Sequence, residues 1–131
     1  MIGLSTKTIA EKLFIKEGYR ILFVNFPENY LEILGVLPDN VTVFRNHVQN
    51  LDLIQIFVKN REELEEILPE VKPFLNSKGK LWVTYYKGTS QHKTDINRDT
   101  INVFGSTLGF QGVAIISIDE ELSALRFKKV E

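Results

Sequence analysis

A chain of 131 residues with no cysteine and a formal net charge of −1 excludes several functions at once. Disulfide frameworks, thiolate zinc sites and cysteine nucleophiles are absent, a dedicated nucleic-acid binder would carry a basic excess, and no apolar run approaches the ~20 residues that cross a bilayer. Hydrophobic content of 44% and charged content of 25% are those of a globular protein, and the length fits one domain over residues 1–131. Met1 to Lys7 shows neither the apolar run nor the cleavage site of a signal peptide, and Ile2 stands where myristoylation needs glycine. A cytoplasmic protein with no nucleic-acid or membrane partner is expected.

In chain order, Thr8-x-x-Glu11 matches a capping box, Ile9 and Leu13 repeat at four residues, and Gly18 follows as a stop, predicting a short helix. Ile21 to Phe26 is apolar except for Asn25 and reads as a central parallel strand. A brief helix over Asn29 to Leu34 ends at Gly35, and Pro38-Asp39-Asn40 marks a turn. Val41 to Arg45 is a short second strand and Leu51 to Lys59 a buried third. Asn60 caps a helix whose apolar stripe is Leu64, Ile67 and Leu68, and Pro69 and Pro73 should kink or restart it before Phe74 and Leu75. Gly79 precedes a fourth strand, Lys80 to Tyr86. Asp95 is a candidate cap for a helix ended by Gly109. Gly112 to Ile118 and Leu122 to Lys129 close the chain as an antiparallel hairpin, because only Asp119 to Glu121 separate them. This alternation predicts a three-layer α/β sandwich.

The turn Asn25-Phe26-Pro27-Glu28-Asn29-Tyr30 contains no glycine, although nucleotide-type folds use glycine there to bring backbone against the ligand. Two segments nevertheless resemble Rossmann-like methyltransferases: Leu13-Phe14-Ile15-Lys16-Glu17-Gly18-Tyr19-Arg20-Ile21-Leu22, the approach to their first strand, and Phe74-Leu75-Asn76-Ser77-Lys78-Gly79-Lys80-Leu81-Trp82-Val83, the entry to a later one. Together with right-handed crossovers, the resemblance implies about six strands in the order 2-1-3-4-6-5 with the last antiparallel. A flavodoxin-like parallel sheet is the alternative. The whole chain also resembles a bacterial family of short proteins known only as a domain of unknown function. The marks are Pro27-Glu28-Asn29-Tyr30, Leu81-Trp82-Val83, Thr94-Asp95-Ile96-Asn97-Arg98-Asp99 and Ile118-Asp119-Glu120-Glu121-Leu122-Ser123. Tyr85-Tyr86-Lys87-Gly88 departs from that family's Trp-Pro-Lys-Lys. Against working methyltransferases, the turn lacks its glycines and the second strand ends Phe44-Arg45-Asn46 without a ribose-binding carboxylate. S-adenosylmethionine chemistry is therefore not expected, and no cofactor is assigned.

Ligands of open α/β sheets bind beyond the carboxyl ends of the strands. That places Asn25, Glu28 and Asn29 at one end of a crevice, where Asn25 should bond the turn at Glu28 or Asn29 and Asn29 could equally cap the short helix. Lys87, Ser90, His92, Lys93, Asp95 and Arg98 form a loop suited to a phosphate or carboxylate. The bland alternative is a solvated loop before an Asp-capped helix. His47 and His92 lie far apart in sequence without a neighbouring carboxylate, so no metal is assigned. Trp82 reads as core, Gly105-x-x-x-Gly109 as close packing, and Arg126 and Lys128 as the wet side of the last strand. The leading expectation is a non-catalytic module for a small anionic ligand or a protein partner. Its rivals are an enzyme acting on a nucleotide-like or phosphorylated substrate, with Lys87 and Arg98 holding the anion and Asp95 or Glu28 moving protons, and a homodimer built on the second strand's edge.

Overall fold

Six strands form one sheet in the order β2-β1-β3-β4-β6-β5, in a computed structural model that describes residues 7–130. The readings made on Met1 to Thr6 lie outside the described residues. In chain order the elements are α1 (Ile9–Lys12), β1 (Arg20–Val24), α2 (Tyr30–Ile33), β2 (Thr42–Phe44), β3 (Leu51–Phe57), α3 (Arg61–Val71), a 3-10 turn (Lys72–Phe74), β4 (Leu75–Tyr86), α4 (Arg98–Thr107), β5 (Phe110–Ser117) and β6 (Leu122–Lys129). Strands β2, β1, β3 and β4 run parallel, while β6 is antiparallel to both β4 and β5. The Rossmann-like order expected from the resemblance is the order of the fold.

Several boundaries move for identifiable reasons. Asn25 takes a left-handed conformation, φ +63°, so β1 stops at Val24 rather than Phe26. The helix at Ile9 is a single turn: its Thr8–Glu11 capping box forms in both directions, but Phe14 at φ +59° ends it well before Gly18. Strand β4 begins at Leu75, and Gly79 lies inside it, where the register against β3 shifts. A Cβ at Gly79 would sit 2.4 Å from the Leu75 side chain, so glycine is what lets the strand close there. Pro69 removes one helical hydrogen bond without stopping α3, which needs only two further residues to bury Val71. Asp95 does not cap α4. Asn97 does, accepting from the Thr100 N–H at 3.0 Å in a reciprocal capping box.

Both faces of the sheet are covered. Leu64, Leu68 and Val71 of α3 and Ile101 of α4 pack with Ile54, Leu81, Val83, Leu125 and Phe127 on one side. Ala10, Leu13, Tyr30 and Leu34 pack with Ile21, Phe23, Leu53 and Trp82 on the other. Each such side chain contributes about 1.5–3 kcal/mol by leaving water. Trp82 is fully buried and donates its indole N–H to the Leu13 carbonyl at 3.1 Å, which anchors the turn after α1 to β4. A buried polar chain crosses the same layer: Tyr30 donates to Gln55 Oε1 at 2.7 Å, and Gln55 donates to Thr84 Oγ1 at 2.8 Å. Burial pushes the Tyr30 phenol well above the ordinary tyrosine range.

Candidate functional site

Two pockets open where β1, β2, β3 and β4 end, and Phe26 stands between them. One, about 260 Å3, is lined by Asn25, Phe26, Lys59, Thr84, Tyr86 and Leu122 among others. The second, about 360 Å3, is lined by Phe23, Phe26, Leu31, Leu37, Val43 and Phe44, with Arg45 also at its wall. The Phe26 ring meets Phe23 edge-on at 6.2 Å, which fixes the partition. Leu31 and Val43 remain 43% and 36% exposed, so the second pocket offers water an apolar wall of the kind a flat ring covers.

The partition depends on Asn25. Asparagine tolerates the left-handed region because its short amide can bond locally, and here it supplies the sharp exit from β1 that glycine would supply elsewhere. Its Nδ2 donates to the Phe57 carbonyl at 2.8 Å and to Glu63 Oε1 at 3.2 Å. Glu63 Oε1 also accepts from the Lys59 N–H at 2.7 Å, so one carboxylate ties the ends of β1 and β3 to the start of α3. The expected bonds from Asn25 to Glu28 or Asn29 do not form, because the left-handed turn points the amide toward β3. Glu28 and Asn29 are exposed and line neither pocket, and Asn29 makes no side-chain cap bond to α2.

The loop after β4 divides its candidate residues between two tasks. Ser90 and Asp95 hold the loop in place: Ser90 donates to Glu121 Oε1 at 2.8 Å, and Asp95 accepts from the Arg61 N–H at 2.8 Å. Lys87 and Arg98 line an open groove of about 480 Å3 with Thr89, Asn97, Asp99 and Ser123. Lys87 donates to Ser117 Oγ at 2.7 Å, and Arg98 lies 3.7 Å from Asp99. Lys93 is exposed and lines neither this groove nor the two pockets. Burial raises the Tyr85 phenol in the groove wall, with Arg98 acting in the opposite sense.

His92 stacks on Tyr86 with ring centroids 4.3 Å apart, and its Nε2 lies 3.9 Å from Glu121. His47 pairs with Glu70 at 3.2 Å. Both histidines thus have carboxylate neighbours that their sequence surroundings did not reveal, yet no group of three metal-ligating side chains forms among the described residues. Sequence reading also missed Thr84 and Leu122 in the first pocket, and Leu31 and Val43 in the second. The usable signal for the last two was large apolar residues on a short helix and a short edge strand. Nothing local marked the first two.

No protein-family model matches the chain, and neither does any curated protein sequence. Solved structures do match its fold. A ribosomal protein L11 methylase from Lactobacillus delbrueckii subsp. bulgaricus is 13% identical, with a TM-score of 0.61 over 93% of this chain and 75% of that one. A SAM-dependent methyltransferase from Aquifex aeolicus is 14% identical, with a TM-score of 0.60 over 90% and 88%. A TehB-like SAM-dependent methyltransferase from Corynebacterium glutamicum is 13% identical, with a TM-score of 0.58 over 97% and 90%. At these identities the likeness concerns architecture. It corrects two expectations: that this chain is a non-catalytic or purely structural module, and that S-adenosylmethionine chemistry is improbable. Those expectations rested on the missing glycines and on the missing ribose-binding carboxylate: the left-handed Asn25 supplies the sharp turn that a glycine would have given, while no acidic side chain among the described residues lines either pocket. The sheet is that of the Rossmann-like methyltransferases.

Proposed function

We propose that the protein is a small S-adenosylmethionine-dependent methyltransferase whose cofactor spans the two pockets beside Phe26. The observation that carries this is the left-handed Asn25 at the end of β1, with a pocket walled by Phe23, Leu31, Leu37 and Val43 on one side of Phe26 and one that holds Asn25, Lys59, Thr84 and Tyr86 on the other. The residues present fit the cofactor's two halves. Phe23, Leu31, Leu37 and Val43 would take the adenine ring, and Lys59 with Asn25 would take the amino-acid end. No acidic side chain lines either pocket among the described residues, so ribose is not gripped here by a carboxylate.

When bound, S-adenosylmethionine supplies an electrophilic methyl group on a sulfonium sulfur. The chain's own part is to orient the acceptor and hold its proton. With Lys59 on the amino-acid end, Tyr86 is the other titratable side chain lining the first pocket, and the stacked His92 holds its ring in place. Thr84 already accepts from Gln55, which fixes the hydroxyl's orientation at the pocket floor. Lys87 and Arg98, at the same end of the sheet, favour an acceptor that carries an anionic group. Ser90 and Asp95 serve this reading by holding the loop after β4, and Glu28, Asn29 and Lys93, which line none of these pockets, have no role in it. The chain fits a place among the short bacterial proteins whose marks it shares, working in a cytoplasm, a setting that the absence of cysteine suits.

Calorimetric titration with S-adenosylmethionine tests the reading. Binding in the micromolar range is expected, with at least about a tenfold loss in Val43→Trp, where a larger ring fills the apolar pocket from its exposed side; a tenfold change is about 1.4 kcal/mol. No heat from the wild type would reject it.

A further inference from the structure

Opposite the pockets, at the other end of the sheet, four cations surround a groove of about 280 Å3: Lys78 and Lys80 on β4, and Arg126 and Lys128 on β6. No acidic side chain lines it among the described residues. Strand alternation puts Lys80, Trp82, Arg126 and Lys128 on one face, because Trp82 pairs with Arg126 and Leu81 with Phe127. Continuing that antiparallel register by one residue sets Lys80 opposite Lys128, and like charges directly opposite are destabilising. Phe14 adds a ring to this face. It is 46% exposed at a left-handed φ of +59°, with Arg126 and Lys80 at 5.7 and 5.9 Å from its centroid. A bulky residue held at positive φ is uncommon and marks a strained position.

We propose that this face binds a single-stranded nucleic acid, its phosphates on Lys78, Arg126 and Lys128 and a base against Phe14. The cations lie along two neighbouring strands rather than converging on one point, which suits a run of phosphates more than a single small anion. Phosphate neutralisation with ring stacking is how strands are held without sequence preference. The chain's overall charge of −1 had argued against such a partner, but a total does not report how charge is distributed. The inference is independent of the methyl-transfer reading, since the groove and the pockets lie at opposite ends of the strands.

The test is fluorescence anisotropy of a labelled oligouridylate at low salt and then at rising salt. Wild type should bind, with affinity falling steeply as salt rises. Lys78→Glu/Lys128→Glu should lose at least about tenfold. Lys78→Gln/Lys128→Gln should lose less, and neither pair should melt below wild type, because these side chains are exposed and Lys128 stands opposite Lys80. Arg61→Glu/Lys93→Glu makes the same charge change away from the groove and should leave affinity within about twofold. Absent wild-type binding, or equal losses in the two glutamate pairs, would overturn the proposal. Tighter binding to anionic phospholipid vesicles than to the oligonucleotide would overturn nucleic acid as the occupant.

Discussion

Asn25 donates its side-chain amide to the Phe57 carbonyl at 2.8 Å, joining the ends of β1 and β3 across the mouth of the cleft. Both the fold and the site depend on this bond, because the residue that makes it also makes the left-handed turn.

The two roles separate by mutation. Asn25→Gly keeps the left-handed turn and loses the amide, so it should cost about 0.5–1.5 kcal/mol. Asn25→Ala loses the amide and adds about 1–2 kcal/mol of left-handed strain. Urea denaturation should therefore rank wild type above glycine above alanine. Alanine as stable as glycine would show that the turn carries no strain.

Gly105 is a packing position. A Cβ there would sit 2.3 Å from Cζ of Phe127, whose ring is stacked on Phe110 at 5.4 Å. Gly105→Ala should lose about 1–3 kcal/mol through overpacking, despite alanine's better helix propensity. Adding Phe127→Leu should recover part of that loss, as denaturation of the double variant would show. Gly109, by contrast, has φ +83° and follows the last residues of α4, so it ends the helix rather than packing it.

Much of this architecture was legible from local chemistry. The three-residue connection from Asp119 to Glu121 permits only a hairpin, and the mostly apolar run from Leu51 to Phe57 reads as an interior strand, which β3 is. Asn60 announced its cap because nothing competes with it nearby. Asp95 and Asn97 are two cap-forming residues two positions apart, and the choice turned on a bond from the Arg61 N–H to Asp95 that sequence does not display. The left-handed Asn25 was hidden for a related reason: asparagine permits that conformation without requiring it. The site was less legible than the fold. Thr84, Leu122 and Val43 come from three strands, and only the sheet order brings them to the pockets.

Tyr30 gives a pH signature. Burial raises its phenol, so the folded state keeps the proton to higher pH than the unfolded chain does. Below about pH 10 both states hold it, and the group contributes its full stability. Above that the unfolded chain ionises first, and stability should fall by up to about 1.4 kcal/mol per pH unit until the folded phenol titrates as well. Tyr30→Phe should be less stable at neutral pH by about 1–3 kcal/mol, because Gln55 Oε1 loses its donor. It should also show a shallower alkaline decline in denaturant midpoint. An equally steep decline would assign the effect to other groups.

The cofactor assignment is tested most directly by locating the ligand. In an amide nitrogen–proton correlation spectrum titrated with S-adenosylmethionine, the signals of Asn25, Phe26, Leu31, Val43, Phe44 and Lys59 should move together and saturate, while those around Lys78 and Lys128 stay still. A spectrum unchanged at saturating ligand, or shifts confined to residues away from Phe26, would contradict the account.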